Sequence, residues 1–216
     1  GIIATKLGLQ GIPVSAELLI LERDLTLLEY NNCRYHISQI SSASSVEIIR
    51  ERKNKVNFSC GVSINNLSLN ENDIGDFKTF LKLSPPLRTE DDRNALVQGL
   101  VDETIDVIVS DHKPEDEENK RLTFAQAETG ASGIETLLPL SLELYHNGSV
   151  NLETIIKALT SSPAKILKIN KGNLSIGNDA DFCIVDINKP WVVRKEKLIS
   201  KSKNTPIEDK KLQGKV

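Results

Sequence analysis

Asp111 is the acidic residue best placed for chemistry, because it directly follows the apolar run 104–110 (TIDVIVS). In parallel α/β sheets, active-site groups lie where the strands end. A carboxylate at such a position can bind a divalent metal ion or move a proton. It can equally cap the segment that follows, and the spacing alone leaves both interpretations open.

The three histidines do not form a site by their spacing. They lie far apart in sequence, and none has a second histidine at ligand spacing. The two-residue period of a strand places His36 and Gln39 on opposite faces, so we interpret His36 as a packed, hydrogen-bonded strand residue. His112 would point away from the preceding acid, which favours a supporting role. His146 is expected at the surface near the C-terminus of a helix, where its charge is favourable.

The hydrophobic pattern predicts alternating strands and helices around these residues. Strands are predicted over 33–40, 56–62 and 104–110, and helices over 14–30, 46–53, 91–101, 132–146, 151–160 and 163–168. Thr89, and Ser44 or Ser45, are the expected N-caps of two of these helices. Alternation of this kind favours a parallel sheet covered by helices. The predicted fold class is therefore α/β.

Four further segments have weaker periodicity. Residues 63–84, rich in Asn and Asp, are expected to form mostly a loop, and the charged run 113–123 a solvated surface loop. After Gly172, the residues NLSIGNDADFCIVD predict a turn that leads into a strand of a second, β-type unit. The basic tail, 194–216, is expected to pack poorly.

The composition weighs against several classes of protein. The net charge of -3 argues against a nucleic-acid-binding face, and no apolar run approaches the roughly 20 residues of a membrane span. The three cysteines, Cys33, Cys60 and Cys183, are odd in number and lack C-x-x-C spacing. We expect Cys33 and Cys60 to be buried free thiols in a reducing, cytoplasmic compartment.

Motifs along the whole chain, 1–216, resemble those of dihydroorotases in the amidohydrolase superfamily. The runs that carry the resemblance are GIPVSAE, RYHISQISSASS, KLSPPLR, GLVDETIDVIVSDHKP, TGASGIET and GNLSIGNDADFCIVD. The resemblance implies the C-terminal part of a (β/α)8 TIM-type barrel over 1–170, with strands 6 to 8 and their helices. Residues 171–216 would form part of a small β-sandwich domain. The implied reaction interconverts dihydroorotate and carbamoyl-aspartate in pyrimidine biosynthesis.

The resemblance also assigns roles to particular residues. Asp111 falls on the metal-binding Asp of strand 8, which takes the proton of the attacking water and passes it to the leaving nitrogen. Gln39 falls on a histidine ligand, and an amide is a poor replacement for imidazole at zinc. Ser84 and Arg88 fall in the substrate-binding motif N-P-P-L-R, with Ser84 in place of Asn. Glu115 falls on a histidine that faces the substrate carboxylate, where an acid would repel an anion.

Three functional interpretations follow from these matches and replacements, which include Asn65 and Asn66 in place of a common histidine pair. The chain is part of a working dihydroorotase whose other ligands lie upstream, a non-catalytic homologue that acts as a structural partner of aspartate transcarbamoylase, or an amidohydrolase for another cyclic amide. Zinc, the metal of the family, is expected to bind weakly or not at all, and this chain alone is expected to be inactive or incomplete. Because three strands leave open edges, we expect an upstream N-terminal half or another chain to complete the barrel, in an oligomer.

Overall fold

The central element is a sheet of three parallel strands in the order β1–β2–β3. The computed structural model describes residues 1–31 and 33–216. The strands are β1 (Tyr35–Ile40), β2 (Phe58–Ser63) and β3 (Val107–Val109). Tyr35 lies opposite Phe58, and Gly61 lies opposite Val107. The predicted α/β class with a parallel sheet is confirmed.

Two helices precede the first strand, and further helices follow each strand. They are α1 (Ile2–Lys6), α2 (Ser15–Tyr30), α3 (Ala43–Arg52), α4 (Ile64–Ser68), α5 (Glu90–Val101), α6 (Glu117–Lys120), α7 (Leu137–His146), α8 (Leu152–Leu159) and α9 (Ser161–Leu167). None of the helices in the described ranges has the length and apolar content of a membrane span.

Caps explain where two of these helices begin. The Thr89 hydroxyl accepts from the Asp92 amide at 3.2 Å, so Thr89 caps α5 as predicted. Helix α3 begins at Ala43 rather than at 46, because Ser42 is its N-cap and accepts from the Ser45 amide. Ser44 and Ser45 therefore lie inside α3 and do not cap it. Helix α4 lies within the segment that was predicted to be a loop.

The core lies between the sheet and the helices that flank it. Leu25 of α2 and Ile49 of α3 are completely buried, and each such side chain stabilises the fold by ~1.5–3 kcal/mol. Cys60 of β2 is buried in the same core, as predicted. Cys33 is exposed, contrary to prediction, because β1 begins only at Tyr35.

A second sheet, antiparallel and two-stranded, lies in the C-terminal part of the chain. It consists of β4 (Asp186–Val192) and β5 (Lys211–Lys215). The strand predicted within NLSIGNDADFCIVD was misplaced, since pairing begins only at Asp186, where β5 supplies a partner. The tail packs well, contrary to prediction, because it supplies β5 and buries Asn204 and Leu212.

Candidate active site at the carboxyl ends of the strands

Three polar side chains meet where the strands of the central sheet end. Gln39 lies near the end of β1, Ser63 ends β2 and Asp111 follows β3. The Gln39 Nε2 donates to Asp111 Oδ1 at 3.0 Å, and the Ser63 side chain lies near enough to favour the charged form of the Asp111 carboxylate. The sheet therefore brings together Gln39 and Asp111, the two residues that the sequence matched to metal-ligand positions, and adds Ser63, which the sequence missed although it also ends a strand.

The environment of Asp111 suits proton transfer. Its carboxyl is half-buried, and this burial raises its pKa, although hydrogen bonds from Gln39 and Ser63 favour the charged form. A raised pKa brings a carboxylate closer to the basicity that a proton acceptor needs at neutral pH. The φ angle of Asp111 is 47°, in the left-handed region, which Asp tolerates better than most residues.

His112 supports the turn beside Asp111, in agreement with its predicted role. Its Nδ1 accepts from the backbone amides of Gly133 and of the following residue, at 3.2 and 3.4 Å. A Cβ added at Gly133 would lie 2.3 Å from the Ser110 carbonyl oxygen. Because this turn packs directly against the strand end, α7 begins at Leu137 and not at 132.

His36 and His146 lie outside this constellation. The His36 Nδ1 is 2.7 Å from Ser59 Oγ, and burial lowers the pKa of the imidazole. His146, exposed at the end of α7, has its Nε2 3.0 Å from the carbonyl oxygen of Ile187. Both contacts agree with the structural roles that the sequence predicted.

Arg88 is held by contacts within the chain. Its Nε donates to Ser41 Oγ at 3.1 Å, another of its nitrogens donates to the Ile12 carbonyl, and its guanidinium lies 4.0 Å from a Glu17 carboxylate oxygen. Glu17 also accepts from the Ser41 amide at 2.9 Å and from the Ser45 hydroxyl. The sequence missed this network, because an acid in one helix and a distant serine-rich turn carry no local signal that they pair.

Ser84 and Glu115 lie in the loops that follow β2 and β3. Ser84 is exposed and precedes a cis peptide bond to Pro85. The Glu115 carboxylate is 3.3 Å from Lys113 Nζ and its side chain is only 15% exposed, so the charged run is not wholly a solvated loop as predicted. Among the residues that the structure describes, no hydrogen bond or ion pair joins either side chain to Asp111.

Two buried asparagines lie in α4, just after β2. Asn65 and Asn66 are 1% and 3% exposed. The Asn66 Nδ2 donates to the Pro86 carbonyl at 3.0 Å, whereas Asn65 Nδ2 and Asn66 Oδ1 have no partner within 1–31 and 33–216. Asn66 thereby fixes the backbone close to Ser84.

A cavity of about 630 Å³ is lined in part by Arg88. Its lining comes from the segments 1–14, 71–74, 81–92 and 124–129. Arg88 bonds to Ser41, which follows the end of β1, so the cavity and the strand ends share one wall. Asp111 is not part of the lining, so the cavity does not enclose its carboxylate.

The described residues do not by themselves form a metal centre. Within 1–31 and 33–216, no group of three or more histidine, cysteine, aspartate or glutamate side chains is arranged to hold a metal ion. The Gln39 amide turns its nitrogen towards Asp111, and an N–H donor does not ligate a cation. The zinc site that the resemblance implied therefore does not fit the residues present here.

Comparison with known proteins assigns the family. The sequence profile of the amidohydrolase family matches residues 9–215. The chain belongs to the amidohydrolase family. This amidohydrolase is 42% identical over 218 residues to a dihydroorotase from Ehrlichia canis, with 100% of this chain and 49% of that protein covered. Identity to a dihydroorotase from Geotalea daltonii is 40% over 215 residues, covering 99% and 51%. The chain thus spans about half the length of the curated relatives it matches.

Solved structures of hydantoinases share the fold of this amidohydrolase. The L-hydantoinase (dihydropyrimidinase) from Arthrobacter aurescens superposes with a TM-score of 0.87 at 29% identity, over 94% of this chain and 46% of that protein. A dihydropyrimidinase from Brevibacillus agri also gives 0.87, at 23% identity, over 94% and 47%, and shows the fold alone. The α/β fold is therefore of the amidohydrolase type.

Proposed function

We propose that this amidohydrolase takes part in hydrolysis of a cyclic amide, the opening of dihydroorotate to carbamoyl-aspartate in pyrimidine biosynthesis. The observation that carries the proposal is the meeting of Gln39, Ser63 and Asp111 at the ends of three parallel strands. The identity to proteins named dihydroorotase supports the substrate class. Because the chain spans about half of those proteins, we assign it the C-terminal part of a (β/α)8 barrel, 1–170, and part of a β-sandwich domain, 171–216.

Asp111 is the proposed proton carrier. Its carboxylate takes a proton from the water whose oxygen bonds to the ring carbonyl carbon. As the C–N bond of the ring breaks, the protonated acid returns that proton to the leaving nitrogen. The raised pKa of Asp111 suits both steps, because the protonated form becomes accessible. The hydrogen bond from Gln39 holds the carboxylate in one orientation.

Substrate contacts are proposed for Ser84, Arg88 and Glu115, which lie in the loops after β2 and β3. Ser84 offers an exposed hydroxyl, and Arg88 lines the cavity beside the strand ends. The pairing of Glu115 with Lys113 makes their combined charge neutral. This pairing weakens the repulsion that a lone acid would exert on an anionic substrate.

Ring opening of dihydroorotate, measured on the purified protein together with any chain that stays bound to it, tests the proposal. We expect turnover that co-purifies with this chain through successive chromatographic steps. Absence of turnover in such a preparation would contradict the proposal.

We further propose that another polypeptide covers the open side of this chain. Among the described residues, β1 pairs only with β2, and Leu174, Ile176, Phe182 and Ile184 expose most of their side-chain surface. Unpaired strand edges and exposed apolar side chains favour association. Native mass spectrometry of protein from its natural source should therefore show a mass above 23.9 kDa, from an upstream half or a further chain. A monodisperse monomer of this mass would be the contrary result.

Zinc binding by this chain alone is expected to be weak. Asp111 is the only family ligand present, and it is bonded to the Gln39 amide. Elemental analysis of the isolated chain should give well below one zinc per molecule. Gln39→His, which places an imidazole beside Asp111, should raise the zinc affinity. Near-stoichiometric zinc in the unmodified chain would show that Gln39 does not prevent binding.

The second candidate function is that of a non-catalytic dihydroorotase homologue, a structural partner of aspartate transcarbamoylase. The hydrogen bond between Gln39 and Asp111, in a place where the family has a metal, favours it. The two candidates differ in ring-opening activity. A scaffold would show none, yet it would co-sediment with aspartate transcarbamoylase.

A further inference from the structure

Lys120, the last residue of α6, is buried without an acidic partner. Only 1% of it is exposed, and within the described ranges no carboxylate forms an ion pair with it. Lysine is seldom buried so completely unless it is paired. Burial lowers the pKa of Lys120 to about 8, so the ammonium form predominates at pH 7. Burying a charged ammonium destabilises a fold unless its surroundings compensate, so the contacts of Lys120 are of interest.

The ammonium lies among three main-chain carbonyls. The Lys120 Nζ donates to the carbonyl oxygens of Glu128 at 2.7 Å, Thr79 at 3.1 Å and Lys82 at 3.4 Å. These carbonyls belong to two separate loops, one after β2 and one after β3. An ammonium has three N–H donors and so can serve all three carbonyls. The partial negative charges of the carbonyls take the place of a carboxylate.

Other contacts join the same two loops. The Thr79 hydroxyl donates to the Lys120 carbonyl, and the Gly130 amide donates to the Lys82 carbonyl at 3.0 Å. The Lys82 Nζ donates in turn to the carbonyls of Ala125 at 2.9 Å and of Ala127 at 2.7 Å. The two lysines therefore cross-link the loops in opposite directions.

Both loops belong to the wall of the 630 Å³ cavity. The loop after β2 contributes Leu81, Lys82 and Leu83, and the loop after β3 contributes Phe124 and Thr129. The loop after β3 also carries Glu115. The position of Lys120 thus fixes one side of the cavity relative to the other.

We propose that Lys120 is a positioning residue, an internal cation that locks the loops 79–83 and 113–130 together and so shapes the cavity that Arg88 lines. A neutral side chain of the same length would leave the three carbonyls without their donor in a buried place. Substrate binding in this cavity is part of the proposed function, and that part of the inference rests on it. The locking of the loops does not depend on it.

Hydrogen–deuterium exchange of the two loops, read by mass spectrometry, tests this role. Lys120→Met keeps the side chain as far as the ε position and removes the charged Nζ, and Lys120→Ala leaves room for an added cation. In both variants the backbone amides of 79–83 and 120–130 should exchange at least about tenfold faster. The reason is that a hydrogen bond to a charged group contributes ~1.5–3 kcal/mol to stability. Lys165→Met, at an exposed lysine near the end of α9, is the matched control and should not change these loops.

Chemical rescue separates the charge from packing. The n-propylammonium ion replaces the atoms that Lys120→Ala removes and should restore protection in that variant, but not in Lys120→Met, where the space is filled. The neutral 1-propanol should restore neither variant. If Lys120→Ala folds only with n-propylammonium present, the proposal is supported. Unchanged exchange in Lys120→Met, rescue by 1-propanol equal to that by the ammonium, or a failure of n-propylammonium to act on Lys120→Ala would each overturn it.

Discussion

We expect Asp111→Asn to lower kcat for the proposed opening of dihydroorotate by about 10³-fold, the scale expected when a proton-transfer group is lost. Asparagine keeps the size of the side chain and a hydrogen bond to Gln39, whose amide can rotate to donate or accept, but it cannot take up the proton of water. The substitution should not destabilise the fold. Because burial raises the pKa of Asp111, folding disfavours the ionised carboxylate, and the variant should keep or gain free energy of unfolding at pH 7.

The pH dependence of the free energy of unfolding is an independent test of the raised pKa of Asp111. A raised pKa means that the folded state binds more protons than the unfolded state above the ordinary value of 3.8. The free energy of unfolding contributed by Asp111 therefore falls as the pH rises through that value towards the folded-state pKa. Denaturant titrations at several pH values should show this fall in the difference between the unmodified protein and Asp111→Asn. Carboxyls with a lowered pKa, such as that of Glu90, contribute the opposite slope in both proteins and cancel in the difference.

Ser63→Ala is the matched control for the kinetics. It removes the hydroxyl that favours the charged form of the Asp111 carboxylate but leaves the proton acceptor in place, so kcat should fall by only about tenfold. If Asp111→Asn retained full ring-opening activity, Asp111 would not be the proton carrier. Loss of the same size in both variants would indicate that orientation, and not proton transfer, is what Asp111 provides.

The parallel sheet and the place of Asp111 were predictable from local pattern. Short apolar runs separated by helical periodicity give parallel strands, and a polar residue that ends such a run lies at the edge where sites form. The contact between Gln39 and Asp111 needed the resemblance as well, because 72 residues separate them. Strand order alone does not fix which side chains meet across a sheet.

Residues that depend on distant partners were not predictable. Lys120 lies in a charged run that is typical of a solvated loop, and only the carbonyls of two other segments explain its burial. Asn204 lies in a polar tail, yet its side chain donates to the Gly130 carbonyl and accepts from Ser132. Composition records the polarity of such side chains and not their partners, so it predicted exposure for both.

Gly133→Ala is the second change with a large expected effect, because it acts on the support of the same carboxylate. The added Cβ would lie 2.3 Å from the Ser110 carbonyl oxygen, which is a main-chain atom and not the tip of a flexible side chain. Either the turn or the end of β3 must shift, at a cost of about 2–3 kcal/mol in the free energy of unfolding. A shift of Ser110 moves Asp111 away from Gln39, so kcat should fall as well.

Gly11→Ala is the control that isolates this effect. Its added Cβ would come no closer than 3.3 Å to any neighbour, the Ala4 methyl, and Gly11 has no positive φ. Both variants lose the same backbone freedom in the unfolded chain, which by itself stabilises a protein by ~0.4–1 kcal/mol. The difference between their denaturation midpoints therefore measures the contact with Ser110. Equal midpoints would mean that the turn can move without disturbing the strand end, and Asp111 would then owe its position to Gln39 and Ser63 alone.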